Sequence, residues 1–331
     1  MMKAIRFHRY GPPDVLALED VDPPVAGDDD VLVRVRAASV NPLDVHVMRG
    51  TPYLLRMMFG LPRPKSNGLG GDMAGRVEAV GKNVTRFRPG DEVYGGRGLA
   101  AAERCSAFAE YAAFHQDGML RRKPVNLTFE EAAAVPVAAI TALQALRDKG
   151  RVQAGHRVLV NGAAGGVGTF AVQIAKAYGA EVTGVCSTGN VHLIRSIGAD
   201  HVVDYTREDF TRVGRRYDLI VDNAGNHPLT AIRRALAPKG VLVAVGGPVK
   251  GRWIRPFLGQ VKLPAYSLVV SQAMRPMLAR GNGDDLAVLT GLIEAGKVTP
   301  VVGRTYPLSA VPDAIRHLAE GHARGKVVIT V

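Results

Sequence analysis

The chain has 331 residues, 47% of them apolar, with 38 glycines, a formal net charge of +12 and a pI near 9.9. That length admits two domains of ordinary size, and the glycine content suits an α/β protein with many tight turns better than a helical bundle. No apolar run reaches the ~18–20 residues of a membrane-spanning helix, and the two cysteines, Cys105 and Cys186, form no C-x-x-C pair, which supports neither a zinc ribbon nor a disulfide scaffold.

The basic charge is scattered and lacks interleaved aromatics, which argues against a nucleic-acid surface and for a solvated basic exterior. The opening MMKAIRFHRYG holds no apolar stretch of signal type. A soluble, cytoplasmic protein is expected.

In chain order, residues 1 to about 125 read as short strands. VLVRVRAASV alternates apolar and polar residues, GRVEAVG repeats the pattern, and PGDEVYG is a turn into a further strand. This half predicts a small barrel or sandwich. Near Leu127 the texture changes. TFEEAAAVPVAAITALQAL predicts one helix, with Thr128 and Glu131 in capping-box spacing. From HRVLVNGA onward, strands and helices alternate through GVGTFAVQIAKAYG, EVTGVCS, NVHLIRSIG, HVVDY, YDLIVDNAG, PLTAIRRAL and GVLVAVGG. That alternation predicts a parallel sheet covered by helices. After about residue 265 the rhythm stops, and a helix near DDLAVLTGLIEAG and a closing strand GKVVITV follow.

The segment NGAAGGVGTF joins the first strand of the alternation to its helix, with Gly162, Gly165 and Gly168 spaced in threes. Glycines there permit a tight turn, let a pyrophosphate approach the N–H groups of the helix start, and let helix and strand pack closely. A dinucleotide held by Gly162, Ala164, Gly165, Gly166 and Val167 is predicted; a ligand-free βα turn is the alternative. The second strand ends in Cys186-Ser187-Thr188-Gly189-Asn190, where an NAD-specific site usually carries Asp or Glu for the ribose hydroxyls. Hydroxyl and amide donors at Ser187, Thr188 and Asn190, with no carboxylate to repel a 2′-phosphate, favour NADPH, with NADH as the alternative.

Together, AASVNPLDVHVMRG, GGDMAGRVEAVG, PGDEVYG, VPVAAITALQAL, NGAAGGVGTFAVQIAKAYGAEV and EGHARGKVVIT stand in this order over almost the whole chain. The chain thereby resembles the medium-chain dehydrogenase/reductase superfamily, in its zinc-independent quinone oxidoreductase (zeta-crystallin-like) branch. The resemblance implies a GroES-like β-barrel domain of residues 1–125 and 266–331. It places between them a Rossmann doubly wound parallel-sheet domain of residues 126–265, with the cofactor in the cleft. Positions matching the ligands of zinc-dependent relatives are Asn41, Gly71 and Val137, none suited to zinc, and the four-cysteine lobe is missing. No metal is assigned.

Without zinc, alcohol oxidation lacks its Lewis acid, whereas a quinone or α,β-unsaturated carbonyl accepts hydride directly, given alignment and a donor for the oxyanion. The resemblance gives the donor role to Asn41, at the mouth of the active site, against an Asn–Pro turn as the alternative. It gives a hydrogen-bonding or proton-relay role to Tyr53, against a plain loop aromatic. Asp44 is expected to be a local acceptor rather than a general base. For the cofactor, the resemblance places Thr141 near the nicotinamide, Tyr205 at the adenine and 2′-phosphate end, and Asn223 and Ala224 at the ribose. Val245, Gly246 and Leu278 fall at the nicotinamide ring. Asn190 stands where many relatives carry Lys, which removes one phosphate-binding cation; His192 and Arg207 are possible substitutes. Arg324 and Lys326, and Asn41 with them, are expected to contact the cofactor, the first two closing the cleft from the C-terminal side; a surface charge pair is the alternative for Arg324 and Lys326.

Met57, Met58 and Phe59 are expected to line an acceptor pocket, or to be core or lid. Arg56, Arg63 and Lys65 would suit the phosphates of a thioester, which keeps a 2-enoyl thioester reductase open, as is a zinc-free alcohol or carbonyl dehydrogenase. A nucleotide-binding regulator with weak RNA binding is the reading from another class. The superfamily resemblance implies a homodimer through the edge of the Rossmann sheet, and GVLVAVGG is the strand expected to supply it.

Overall fold

The computed structural model describes residues 1–97, 106–246, 258–267, 270–321 and 323–331; Cys105 lies outside them. The chain divides into two compact units, Met1–Ile140 with Arg280–Ala295 and Pro300–Val331, and Thr141–Ala279 with Gly296–Thr299. The edges fall later than the 125 and 265 read from the sequence.

The first unit opens with β1 (Met2–Arg6) and β2 (Ala17–Val21), an antiparallel pair. Next come β3 (Asp30–Val40), α1 (Pro42–Arg49), α2 (Leu55–Phe59), β4 (Asp72–Val80), β5 (Glu92–Gly96), β6 (Tyr111–His115) and β7 (Leu120–Arg122). The spine is β3. One edge of it pairs β4, while the other pairs β6 through Asp30–Arg34. Register shifts at Leu32/Val33 and Val35/Ala37 interrupt the β3–β4 ladder, and such bulges bend a strand. The alternation seen in VLVRVRAASV has a physical result: Val31, Val33 and Val35 are buried in the core, with Phe7, Met73, Phe108 and Leu120.

The segment predicted as one helix is broken. Thr128 caps α3 (Phe129–Ala133), with its hydroxyl accepting from Glu131 N and the Glu131 carboxylate accepting from Thr128 N. Then α4 (Pro136–Gln144) starts afresh, running on as a π turn over Ala145–Lys149. Pro136 has no N–H to continue the ladder and disfavours the helical conformation at Val135.

In the second unit, β8 (Arg157–Asn161), α5 (Gly166–Ala177), β9 (Glu181–Cys186), α6 (Val191–Ser196), β10 (His201–Asp204), β11 (Tyr217–Asp222), α7 (Leu229–Ala235) and β12 (Leu236–Ala244) reproduce the expected alternation. Beyond α8 (Leu258–Ser267) comes a strand the sequence reading missed, β13 (Ala273–Pro276). All pairings are parallel, in the order β10-β9-β8-β11-β12-β13. In sequence terms that is 3-2-1-4-5-6, the Rossmann order. GVLVAVGG is therefore interior: β12 lies between β11 and β13, and among the described residues the sheet edges are β10 and β13.

The chain returns to the first unit with α9 (Gly283–Glu294), β14 (Val302–Pro307), α10 (Val311–Ala319) and β15 (Lys326–Thr330). β15 pairs antiparallel with the far end of β3, Val327 facing Val40, and parallel with β14.

Candidate active site

In the first unit, three strand ends converge. β3 ends at Val40 and runs into Asn41; β4 starts at Asp72, in register with Ser39; β15 starts at Lys326, next to the Val327–Val40 pair. All four polar side chains, Ser39, Asn41, Asp72 and Lys326, are buried. Lys326 Nζ donates to Asn41 Oδ1 at 2.7 Å and to Val40 O at 3.2 Å, and lies 3.5 Å from Asp72 Oδ2. Three acceptors meet the three protons of an ammonium. Asp72 is equally occupied: Oδ2 accepts from Asn41 Nδ2 (2.8 Å) and Ser39 Oγ (3.1 Å), and Oδ1 accepts from Val137 N (3.1 Å). Burial pushes Asp72 up and Lys326 down, and the attraction between them opposes both shifts.

Asp44, on α1, accepts from Asn41 N (2.7 Å) and Gly70 N (3.3 Å). Its role as a local acceptor is as expected. Burial, above all, pushes its carboxyl up to about 7, against the hydrogen bond from Asn41 N.

Lys326 is thus not half of a surface charge pair, and it differs from Arg324, which is exposed. Two positions that the resemblance matches to zinc ligands, Asn41 and Val137, meet at Asp72 rather than around a metal site. Among the described residues no group of three or more His, Cys, Asp or Glu could hold a metal ion.

Tyr53 precedes α2 and is half-buried, with the Arg56 guanidinium 4.8 Å from its ring centroid and 4.5 Å from that of Tyr10. Arg56 Nε also donates to Gly50 O at 2.9 Å. Arg56 is therefore an internal clamp for residues 50–60, while Arg63 and Lys65 are exposed. Phe59 is buried; Met57 and Met58 are exposed.

In the second unit, the residues expected around a dinucleotide gather at the carboxyl ends of β8 and β11. These are strands 1 and 4 of the sheet, where the strand order reverses and ligands of such sheets bind. Gly162 has φ +75°, a left-handed conformation that favours glycine, and a Cβ there would reach 3.4 Å from Asn223 Cβ. Gly165 starts α5 with no side-chain cap, which leaves first-turn N–H groups for an anion. A Cβ on Gly168 would stand 2.1 Å from Gly162 O, so this glycine sets the close packing of helix on turn. Ala164, Gly166 and Val167 line the same turn and are partly exposed.

The turn after β11 is tied by Asp222, which the sequence reading did not single out. Its Oδ1 accepts from Asn161 Nδ2 (2.8 Å), Gly225 N (2.9 Å) and Ala224 N (3.2 Å). Asn223 Nδ2 donates to Asn161 O at 3.1 Å, while Asn223 Oδ1 is buried without a partner among the described residues. An orphaned acceptor in a glycine-lined turn is what a ribose hydroxyl would satisfy. Val245 and Gly246 follow β12, their N–H groups on Asp222 O at 2.9 and 3.2 Å. Thr141 is buried on α4; Leu278, past β13, and Tyr205 are exposed.

At the end of β9, Asn190 Nδ2 donates to Ser187 Oγ (3.1 Å) and Thr188 Oγ1 to Asp204 Oδ2 (2.6 Å). The strand end carries no carboxylate, as read from the sequence, but the neighbouring strand brings one. Asp204 also accepts from Thr206 N and Oγ1 (3.0 and 2.7 Å). The Thr188 hydrogen bond leads the groups that hold its carboxyl below the usual range.

Comparison with known proteins matches residues 27–145 to the alcohol dehydrogenase GroES-like domain and residues 197–329 to the zinc-binding dehydrogenase family. The chain is 36% identical to the 2-methylene-furan-3-one reductase of Solanum lycopersicum, over 99% of this chain and 79% of that one. It is also 36% identical to the chloroplastic NADPH-dependent alkenal/one oxidoreductase of Arabidopsis thaliana, with the same coverage. The quinone oxidoreductase from Coxiella burnetii superposes with a TM-score of 0.86 at 31% identity, over 100% of this chain and 99% of that one. The chain belongs to the medium-chain dehydrogenase/reductase superfamily, in its quinone oxidoreductase branch.

Proposed function

We propose that the chain is a zinc-independent, NADPH-dependent reductase of quinones and α,β-unsaturated carbonyls. The observation that carries the cofactor half is the orphaned Asn223 Oδ1 beside the left-handed Gly162 and the uncapped start of α5. The pyrophosphate would sit on the N–H groups of α5, a ribose hydroxyl on Asn223 Oδ1, and the 2′-phosphate near Ser187, Thr188 and Asn190. Thr188 and Thr206 already occupy the Asp204 carboxylate, which blunts its repulsion of a phosphate. Thr141, Ala224, Val245, Gly246 and Leu278 keep the nicotinamide-side and ribose roles the resemblance gives them, and Tyr205 the adenine end.

When bound, the nicotinamide supplies a hydride. The chain's own contribution is electrostatic. The Asn41 amide spends one N–H on Asp72 and has a second for the acceptor oxygen, where negative charge develops. Tyr53 stands with Arg56 as the side chain shaping the acceptor end, and Met57 and Met58 as its adaptable wall. The relatives named for enone and alkenal reduction support this acceptor class. For the thioester alternative, Arg56 is held against two rings, which leaves Arg63 and Lys65 as its exposed cations. The assembly we assign is a homodimer through the β13 edge. Cytoplasmic placement belongs to the same reading, and recovery in an organelle or membrane fraction would overturn it.

The test is oxidation of NADPH and of NADH, in parallel, with 9,10-phenanthrenequinone and with 3-buten-2-one, in the presence of a metal chelator. Turnover with NADPH well above NADH is expected, indifferent to the chelator. Equal rates would remove the cofactor preference alone. Loss of turnover with chelator would remove zinc independence, and no turnover with either cofactor would remove the function.

A further inference from the structure

The buried Lys326 is the one cation in the cluster around Asn41, and its protons are all spent inside the protein. It touches the one atom that decides what Asn41 can do. An amide has an acceptor end and a donor end, and sterically the two can exchange. Here the exchange is blocked by charge. Lys326 has only donors, and it stands 2.7 Å from Oδ1; the Asp72 carboxylate offers only acceptors, and it stands 2.8 Å from Nδ2. Turning the amide over would set ammonium against N–H and carboxylate against oxygen. The ammonium also draws electron density from the amide oxygen, which makes the opposite N–H a better donor, the more so away from water.

Resting on the reading of Asn41 as the donor to the acceptor oxygen, we propose that Lys326 is a positioning residue of the reduction: it locks the Asn41 amide with nitrogen as the donor and polarises its free N–H toward the developing oxyanion. The proposal gives the chain a fixed internal cation that acts on the acceptor through one amide. It also assigns Lys326 to the barrel unit's chemistry rather than to cofactor contact.

The chemistry of the two acceptor types separates this role from a structural one. Hydride addition to a quinone gives a delocalised phenolate; addition to an aliphatic enone gives an enolate, a far stronger base that depends more on a hydrogen-bond donor. Loss of polarisation therefore costs the enone more, whereas loss of active, folded enzyme costs both acceptors by one factor. The variants are K326Q, which keeps a donor beside Asn41 without the charge, and the charge-balanced pair D72N/K326M, which removes the ion pair as a unit. Thermal midpoint and NADPH affinity identify the variants that fold. We expect kcat with 3-buten-2-one to fall at least fivefold more than kcat with 9,10-phenanthrenequinone, while the NADPH Kd stays within threefold. Equal losses on both acceptors, or no loss, would overturn the proposal. Failure of both variants to fold would assign Lys326 to structure alone and overturn it too. If the native enzyme turned over neither acceptor, the functional reading itself would fall and this inference with it; native turnover followed by equal losses would sink the inference alone.

Discussion

Asp44 shows how one buried side chain can make stability depend on pH without being catalytic. Its carboxyl is pushed up from 3.8 to about 7 by burial, so the folded state binds a proton that the unfolded chain releases near pH 4. The stability this group contributes is complete below about pH 4 and is lost as pH rises through 7. Asn at this position carries no titrating proton. The gap in thermal midpoint between native and D44N protein, in the native protein's favour at pH 5, should therefore narrow steadily to pH 8. A gap that stayed constant would show that Asp44 does not titrate in this range. Cys186 is a contrasting residue: burial pushes its thiol up to about 11, which leaves it protonated and unreactive at neutral pH.

At the scale of elements, glycines that look alike in the sequence do opposite things. On α5, Gly168 packs against the turn so closely that a Cβ would meet Gly162 O at 2.1 Å, a backbone atom that cannot swing aside. G168A should lose about 1–3 kcal/mol by overpacking, read as a lower denaturant midpoint at unchanged slope. On α9, Gly291 is exposed and a Cβ would meet nothing within 4 Å. G291A should gain about 0.5–1 kcal/mol from helix propensity. Reversed signs would sink the packing argument. Most elements were legible because apolar period and capping chemistry act locally: Thr128 and Glu131 form the capping box their spacing announced. The misses were physical too. A continuous helical pattern hid the break at Pro136. β13, with the sequence AMRP, is too short to show a period. The unbroken apolar run of GVLVAVGG signals a strand buried on both faces, which is an interior strand rather than an edge.

For the whole molecule, the consequence of that correction is assembly. Among the described residues β13 ends the sheet, and this is the side we assign to a homodimer, so light scattering at micromolar concentration should give twice the mass of the 35.2-kDa chain. A monomer would overturn the assignment. The net charge is +12. Many of the cations are partnered in surface ion pairs, as Arg86 is with Asp117, Lys82 with Asp28 and Lys176 with Asp200, and such pairs contribute little to stability.

The sequence by itself determined what depends on neighbours along the chain: the βα alternation, the glycine turn, the end of the second strand without a carboxylate, and the motifs that carry the family resemblance. Only the tertiary structure decided the rest. Asp72 and Lys326 are 254 positions apart; Asp72 stood in the sequence only as a charge in GGDMAG, and Lys326 was expected beside Arg324 at the cleft rather than against a carboxylate. Sheet pairing brings β4 and β15 to the two sides of β3, and there the two charges must find each other, because neither can stay buried alone. The same holds for Asp222 at the end of β11, bonded to Asn161 of β8, and for Asp204 at the end of β10, bonded to Thr188 after β9. Those two partners come from neighbouring strands of a parallel sheet, and strand order, which sets such neighbours, has no local signature in the chain.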